Sequence, residues 1–150
     1  HQFDFGRSGS PVASGYTQVT ETTSYNAAQG YGWLSGSPAS RDRGVGTDLE
    51  RDFNFVMAAG GTFAVDVGSS GSYSVTVVIG DATVAHPDQG IFLEGVQVDT
   101  VSTAAGVFYT QSYVTTVSDG QLTIDLQPLN GAPVVVLNAL EVIPISSQQS

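Results

Sequence analysis

The residues of this chain that are best suited to binding are arginines that follow its single tryptophan. Trp33 lies in the run Gly30-Tyr31-Gly32-Trp33, and three of the four basic residues come soon after it: Arg41, Arg43 and Arg51. The chain has no lysine and a formal net charge of -10, so carboxylates already provide solubility. A guanidinium is a planar, forked donor that pairs with carboxylates and stacks on flat rings. The cluster therefore predicts contact with a ligand or internal pairing with nearby acids: Asp42, Asp48 and Asp52.

The composition argues against several other classes of function. A strongly acidic chain repels phosphate backbones and anionic membrane surfaces, so we expect neither nucleic acid nor membrane as a partner. The absence of cysteine removes thiol catalysis and cysteine-ligated metals. A lysine-free sequence rich in Ser, Thr and Gly is typical of secreted bacterial proteins, marine ones in particular. We therefore expect a secreted, extracellular protein.

A catalytic site is difficult to assemble from these residues. The sequence has no Gly-x-Ser-x-Gly motif and no glycine-rich phosphate loop followed by Lys. His86 is the only internal histidine, and we expect it to lie in an exposed loop with Pro87 and Asp88. Asp81 follows Gly80 at a strand end, where a turn is the simplest explanation. The sequence therefore predicts no catalytic residues.

The elements that must position the cluster are strands, because the dominant hydrophobic period is two. Residues 62–79 and 113–126 each alternate on both sides of a glycine-containing turn, which predicts two hairpins. Residues 91–93 and 96–101 form a third strand pair around Glu94-Gly95, where the glycine allows a tight reversal. Residues 134–143 predict one last apolar strand.

These elements define a fold class. Roughly eight to ten short strands at spacings of about 8 to 12 residues, with almost no helical pattern, predict an all-β, antiparallel β-sandwich of the jelly-roll type. Residues 6–50 have little strand pattern, so we expect long loops that carry the arginine cluster. Residues 1–145 form one predicted domain, and residues 146–150 are expected to be a polar linker end.

Short motifs spread along nearly the whole chain resemble one known family. The most specific are Phe3-Asp4-Phe5-Gly6, Gly15-Tyr16-Thr17, Gly30-Tyr31-Gly32-Trp33, Arg41-Asp42-Arg43, Leu49-Glu50-Arg51-Asp52-Phe53 and Leu137-Asn138-Ala139-Leu140-Glu141-Val142. Together they resemble the galactose-binding-like accessory domain of β-agarases and rhamnogalacturonan acetylesterases. That family is related to carbohydrate-binding modules of families 6 and 35 and to malectin. The resemblance implies a galactose-binding-like sandwich, covalently linked to a catalytic domain that cuts or deacetylates polysaccharide.

A sugar site is consistent with the clustered residues. Tyr31 and Trp33 offer flat rings for the apolar face of a pyranose, and a polar rim would bind its hydroxyls. The rim candidates are Arg41, Arg43 and Asp48. Resemblance to family 6 modules adds Asn138 from the last strand and an aromatic residue, Tyr109, from a middle loop.

Structural roles remain open for each of these residues. Trp33 is equally suited to plugging one end of the sandwich, and the Arg41-Asp42-Arg43 run to pinning its own loop. Asn138 is also suited to capping a loop backbone from inside. Arg51 with Asp52 is best explained as a brace between the loop and the sandwich.

The resemblance also implies a structural calcium. Related sandwiches hold this ion between the first and last strands with carboxylate and carbonyl oxygens, the hard ligands that calcium prefers. Asp4 and Glu141 are the residues in matching places. No other metal or cofactor is expected.

Three functions follow from these observations. The first is a non-catalytic carbohydrate-binding module that targets a parent enzyme to a galactan or pectin-type polysaccharide. An agar-like polysaccharide is favoured, because the charge of -10 favours a neutral ligand. The second is a structural accessory domain that packs on its catalytic neighbour without binding sugar. The third is a small polysaccharide lyase or hydrolase.

Overall fold

The computed structural model describes residues 1–145, and strands occur throughout this range. The predicted linker, residues 146–150, lies outside the described residues. The strands are β1 Gln2–Phe5, β2 Thr17–Val19, β3 Tyr31–Ser35, β4 Ala39–Asp42, β5 Asp52–Val56, β6 Gly61–Asp66, β7 Gly71–Gly80, β8 His86–Leu93, β9 Val96–Thr103, β10 Phe108–Val117, β11 Gln121–Pro128, β12 Val135–Leu137 and β13 Ala139–Ile145. No helix occurs among the described residues, and so none could cross a membrane. The all-β prediction is confirmed.

The strands form two large sheets and one small one. The first sheet has the order β10-β7-β13-β1-β2 and the second the order β3-β6-β11-β8-β9. All pairs are antiparallel except β1 with β2. The third sheet has three strands in the order β12-β5-β4.

The core lies between the two large sheets. Val75, Val77 and Ile79 of β7 point inward from the first sheet, while Phe63 of β6 and Ile124 of β11 point inward from the second. All five side chains are fully buried. Each such burial contributes roughly 1.5–3 kcal/mol. The packing of these alternating apolar side chains therefore stabilises the sandwich.

Two predicted hairpins are wrong. β6 and β7 follow each other in the chain but lie in different sheets, and so do β10 and β11. The alternation correctly marks each buried face, but strands from opposite sheets bury their faces against the same core. The glycine-containing turns therefore connect the two sheets rather than two paired strands. The β8–β9 hairpin is confirmed, with positive φ at both Glu94 (51°) and Gly95 (79°).

Two other segments also differ from the prediction. The region expected to be only loops contains β2, β3 and β4, so Tyr31 and Trp33 belong to a strand. The predicted last strand is two strands, because the chain leaves the small sheet after β12 and enters the first large sheet with β13. Asn138 lies at this crossing point.

The small sheet separates two groups of side chains. Arg41 pairs with Phe53 and Ala39 with Phe55, while Val136 pairs with Phe55 from the other side. Paired residues share a face, so Arg41, Phe53, Phe55 and Val136 lie on one face of this sheet. The opposite face carries residues that turn toward the core: Asp52, Asn54, Val135 and Leu137. Only predicted site residues on the same face of the small sheet can contact one another.

Candidate functional site

A cavity of about 190 Å³ lies on the outer face of the small sheet. Its floor is apolar and its rim is charged. The lining residues are Arg41, Arg43, Phe53, Phe55, Asp81, His86, Val134 and Val136. Half of them lie in β4, β5 and β12, and Arg43 and Val134 directly adjoin β4 and β12. Asp81 follows β7, and His86 is the first residue of β8.

Asp81 is the fixed anion of the cavity. Its side chain is fully buried and accepts two hydrogen bonds from Arg43, at 2.9 Å from both Nε and Nη2. It also accepts from His86 Nε2 at 2.8 Å and from the backbone N–H of Thr83 at 3.0 Å. Asp81 therefore holds Arg43 and His86 in place against the apolar floor.

Electrostatics keeps Asp81 ionised. Burial is the largest single influence and by itself raises the pKa of the carboxyl. The hydrogen bonds from Arg43, Thr83 and His86, added to the charge of Arg43, outweigh burial and hold the pKa well below its usual range. Asp81 in turn raises the pKa of the Arg43 guanidinium.

Arg41 differs from Arg43 in having no acidic partner. Its guanidinium carbon lies 5.0 Å from the centroid of the Phe55 ring, and Nη1 donates to the carbonyl oxygen of Ser40 at 2.9 Å. No carboxylate lies within 4.0 Å of it in residues 1–145. Arg43 is likewise placed over Phe53, at 5.5 Å. Both phenyl rings therefore support guanidinium groups.

Trp33 and Tyr31 do not belong to this cavity, which corrects the predicted aromatic platform. Trp33 is only 6% exposed and packs edge-on against Phe5 and Phe63, at centroid distances of 6.1 and 5.4 Å. Tyr31 is half-buried and packs on the core beside Phe3. The Trp33 ring is therefore not available as an exposed stacking surface, and Trp33 has the plugging role that the sequence left open.

Gly32 allows the Gly30-Tyr31-Gly32-Trp33 motif to pack closely against the segment before it. Gly32 has a φ of 144°, and a Cβ at this position would overlap the backbone of Ser24 and Tyr25. Trp33 Nε1 donates to Asn54 Oδ1 at 3.2 Å, from the inner side of the small sheet. The motif therefore anchors the sheet on which the cavity is built.

Asn138 is also buried, so it does not face a ligand in this structure. Its Oδ1 accepts from the backbone N–H of Gly80 at 2.8 Å, and its Nδ2 donates to the carbonyl oxygen of Asp52 at 3.1 Å. These two backbone groups immediately precede Asp81 and Phe53. Asn138 therefore joins two strand ends that carry cavity residues.

Replacing Asn138 with alanine is expected to destabilise the fold by about 1–3 kcal/mol, because it leaves the buried N–H of Gly80 without an acceptor. Urea unfolding followed by circular dichroism measures this change. Gln97→Ala, which removes an exposed amide, is the control and is expected to change stability by less than about 0.5 kcal/mol. Equal stability of the two variants would contradict the anchoring role.

Asp48 and Tyr109 lie away from the cavity lining. Asp48 is exposed in the segment between β4 and β5. Tyr109 donates its hydroxyl to Asp99 at 2.9 Å, and Tyr113 donates to the same carboxylate oxygen at 2.5 Å. Of the seven predicted ligand residues, the structure therefore brings together only Arg41 and Arg43.

The residues predicted to brace the loop against the sandwich, Arg51 and Asp52, do not pair with each other. Arg51 donates instead to both carboxylate oxygens of Asp42, at 3.0 and 3.2 Å. This pairing lowers the pKa of Asp42. Arg51 is partly exposed just before β5, whereas Asp52, the first residue of β5, is fully buried. Asp52 therefore turns into the protein, away from the arginine.

Asp52 meets Asp4 inside the protein. Both side chains are buried, and the two carboxyl groups lie within hydrogen-bonding reach of each other. Both oxygens of Asp52 and Oδ1 of Asp4 lack a donor, whereas Asp4 Oδ2 accepts from the backbone N–H of Ala13 at 2.8 Å. Gly6 makes room for Asp52, since a Cβ on Gly6 would overlap its carboxyl group.

The Asp4 and Asp52 pair differs from the residues expected to bind the calcium ion that the resemblance implies. Asp4 offers one orphaned carboxylate oxygen, Oδ1, but Glu141 accepts a hydrogen bond from Gln2 Nε2 at 2.9 Å. The carboxylate beside Asp4 is Asp52. No group of three or more His, Cys, Asp or Glu side chains within residues 1–145 is arranged to hold a metal. A cation here would therefore take two carboxylates from Asp4 and Asp52, and its other ligands from backbone carbonyls or water.

Sequence reasoning missed most of the cavity. The sequence pattern marks Phe53 and Phe55 only as alternating strand residues, and Asp81 only as part of a turn. His86 was expected in an exposed loop, but it is 7% exposed and begins β8. One signal was present: Arg41 and Arg43 alternate in the same way as Phe53 and Phe55, so two adjacent strands would place all four on one face.

The fold and the arrangement of its sheets define a galactose-binding-like β-sandwich domain. More particularly, the chain belongs to the family described as Beta-agarase/YXIM esterase-like, galactose-binding domain-like, which matches residues 1–143. The resemblance inferred from the motifs is therefore confirmed.

Two relatives are similar along the whole chain. Beta-agarase A of Zobellia galactanivorans is 30% identical over 154 residues, which cover 99% of this chain and 28% of that protein. The crystal structure of the Bacillus subtilis protein YxiM is 28% identical with a TM-score of 0.79, and the match covers 99% of this chain and 40% of that one. The chain thus spans less than half the length of either relative.

More distant structures share the fold alone. Bacteroides uniformis beta-glucuronidase 2 superposes with a TM-score of 0.69 at 16% identity, over 97% of this chain and 18% of that one. The ANXUR2 extracellular domain from Arabidopsis thaliana gives 0.72 at 12% identity, over 98% of this chain and 49% of that one.

Proposed function

We propose that this domain is a non-catalytic carbohydrate-binding module that targets a covalently linked enzyme to a galactan or pectin-type polysaccharide. The observation that carries the proposal is the cavity on the small sheet, with its apolar floor and charged rim. Membership in a family named for a β-agarase and an esterase supports it, and so does the short span of the chain within its longer relatives. We expect the whole protein to be secreted and bacterial.

The cavity has the chemistry that a sugar ring needs. Val134, Val136 and Phe55 provide an apolar surface for the C–H face of a pyranose. Arg41 provides N–H donors at the rim for hydroxyl or acidic groups of the sugar. A volume of about 190 Å³ is small compared with the roughly 300–1,000 Å³ of typical ligand pockets. The cavity therefore suits a single sugar unit of a chain.

The roles of the charged residues are structural as well as chemical. Asp81 is saturated by its partners and holds Arg43 and His86 at fixed positions. A carboxylate whose pKa is held well below neutral does not exchange protons at neutral pH. This arrangement supports binding rather than acid–base catalysis.

Filling the cavity tests the proposal. Val134→Trp is expected to weaken binding to soluble agarose or polygalacturonate fragments at least tenfold, because the indole occupies the space of the sugar ring. Affinity electrophoresis with each polysaccharide measures this change. Val114→Trp is the matched control, since Val114 is 67% exposed on β10 and does not line the cavity.

Unchanged binding by Val134→Trp would contradict the cavity as the site. Failure of the unmodified domain to bind any polysaccharide would instead favour a structural domain that packs on its catalytic neighbour. Release of reducing ends or unsaturated uronate by the isolated domain would favour the lyase or hydrolase function.

We also propose that the buried carboxyl pair of Asp4 and Asp52 can hold a structural calcium ion. The support is the set of orphaned, buried oxygen atoms on these two side chains. A hard divalent cation would supply the positive partner that they lack. Its expected effect is on stability at alkaline pH, since the cavity is lined by other residues.

A further inference from the structure

We infer that the cavity recognises a pyranose that carries an acidic group, a carboxylate or a sulfate ester, through Arg41. This inference rests on the proposed function and specifies the class of sugar. It differs from the expectation of a neutral ligand, which was based on the net charge of the whole chain. The local charge of the cavity has the opposite sign.

The cavity lining has a positive formal charge. Asp81 is the only carboxylate that lines it, and Arg43 neutralises this carboxylate through a two-bond ion pair. Arg41 then remains as a positive charge with no acidic partner within 4.0 Å in the described part of the chain. With His86 neutral, the lining has a formal charge of +1 in a chain whose net charge is -10.

The guanidinium of Arg41 is positioned to bind an anion. Its guanidinium lies over the Phe55 ring, and only Nη1 makes a hydrogen bond within the described residues, to the carbonyl oxygen of Ser40. A planar group supported by an aromatic ring loses little further freedom when it binds. Its remaining N–H groups match a carboxylate or sulfate, which accept two parallel hydrogen bonds from one guanidinium.

An apolar surface lies beside Arg41. Phe55 and Val136 are paired across β5 and β12 on the same face as Arg41, and Val134 completes the apolar floor. A sugar ring on this floor would place a substituent at its edge next to the guanidinium. An acidic group on that substituent gains a charge-assisted hydrogen bond that is about twice as strong as a neutral one. A hydroxyl accepts from the same guanidinium through a single oxygen and brings no negative charge, whereas a carboxylate or sulfate brings a full negative charge and a second acceptor oxygen.

Three matched sugars test the inference: D-galactose, D-galacturonate and D-galactose 6-sulfate, which share one ring and differ at carbon 6. Each is titrated at pH 7 into the whole domain, and the affinity is measured from the backbone amide shifts of the cavity residues. We expect at least one of the two anionic sugars to bind about tenfold more tightly than galactose. The better of the two identifies the acidic group as carboxylate or sulfate.

Arginine variants assign the preference to one residue. Arg41→Gln is expected to reduce the ratio of anionic to neutral affinity to about 1, and Arg41→Lys to restore only part of it, because lysine keeps the charge but lacks the fork. Arg7→Gln is the matched control. Arg7 is also exposed and has no ion pair among the described residues, but it lies outside the cavity, so this variant should keep the full ratio.

The outcomes separate the inference from the proposed function. Equal affinity for galactose and both anionic sugars would overturn the acidic-sugar inference and leave a sugar-binding cavity. A preference that survives in Arg41→Gln would also overturn it. If none of the three sugars shifts the cavity amides, both the inference and the cavity as the binding site are contradicted.

Discussion

Replacing Trp33 with alanine is expected to lower the free energy of unfolding by about 3–5 kcal/mol, the cost of removing a large aromatic side chain from a packed core. Trp33 packs on Phe5 and Phe63, and its Nε1 donates to Asn54 in the small sheet. Domains of this size are typically stable by only about 5–15 kcal/mol, so this single change removes a large share. Urea unfolding followed by circular dichroism measures it.

Sugar binding separates the plugging role of Trp33 from a direct role. Trp33→Phe keeps most of the packing, so we expect it to fold and to bind sugar with unchanged affinity. The fluorescence of the unmodified protein gives a second measurement, because Trp33 is its only tryptophan. We expect the emission of a buried indole and no quenching when sugar binds. Quenching by sugar, together with lost affinity in Trp33→Phe, would restore the aromatic platform.

The second large effect is a loss of stability as the pH rises from about 4 to about 8. Burial, followed by the charges of Asp4 and Asp42, raises the pKa of Asp52 to about 8, while Arg51 acts in the opposite direction. Burial likewise raises the pKa of Asp4 to about 6; the backbone N–H of Ala13 opposes this rise, and the charge of Asp48 adds to it. In the folded protein, a proton on Asp52 supplies the donor that the buried oxygens lack.

The sign follows from proton linkage. Between about pH 4 and pH 8 the folded state holds protons that the unfolded state has released, so the free energy of unfolding falls as the pH rises. The slope is up to about 1.4 kcal/mol per pH unit for each such proton. The contribution is fully present below about pH 4 and is lost above about pH 8. Asp42 and Asp81 have lowered pKa values and act oppositely, losing their contribution below about pH 4.

Asp52→Asn is expected to remove most of the alkaline loss, because an amide donates to Asp4 without titrating. The variant should be as stable as the unmodified protein near pH 5 and clearly more stable at pH 8. Chemical unfolding across this range measures the slope. Asp119→Asn, an exposed change in the turn before β11, is the control and should keep the original slope. An unchanged slope in Asp52→Asn would contradict the proton-sharing pair.

Calcium provides a further comparison at the same site. At about pH 9, above the raised pKa values of both carboxyls, calcium is expected to raise the unfolding midpoint of the unmodified protein relative to EDTA. The increase should vanish in Asp52→Asn but persist in Glu141→Gln. No effect of calcium on the unmodified protein would contradict calcium binding and leave the pair as a proton site. Loss of the effect in Glu141→Gln would favour the ligand pair expected from the resemblance.

The sequence by itself determined the class of fold, the family and the approximate strands. The period of two marks buried faces wherever it occurs, and in the motif Phe3-Asp4-Phe5-Gly6 only glycine fits beside Asp52. The arginine cluster was also visible in the sequence, and Arg41 and Arg43 do line the cavity. These features depend on residue type and local spacing.

Only the tertiary structure decided which strands pair and which cluster residues meet. Alternation identifies a buried face but does not say which sheet buries it, so β6 and β7 were predicted as partners although they lie in opposite sheets. For the same reason, the sequence did not show that Trp33 lies beneath the small sheet while Arg41 lies on its outer face. The partners of Arg43 and Asp52 come from residues 38 and 48 positions away, Asp81 and Asp4, and only the folded chain brings them together.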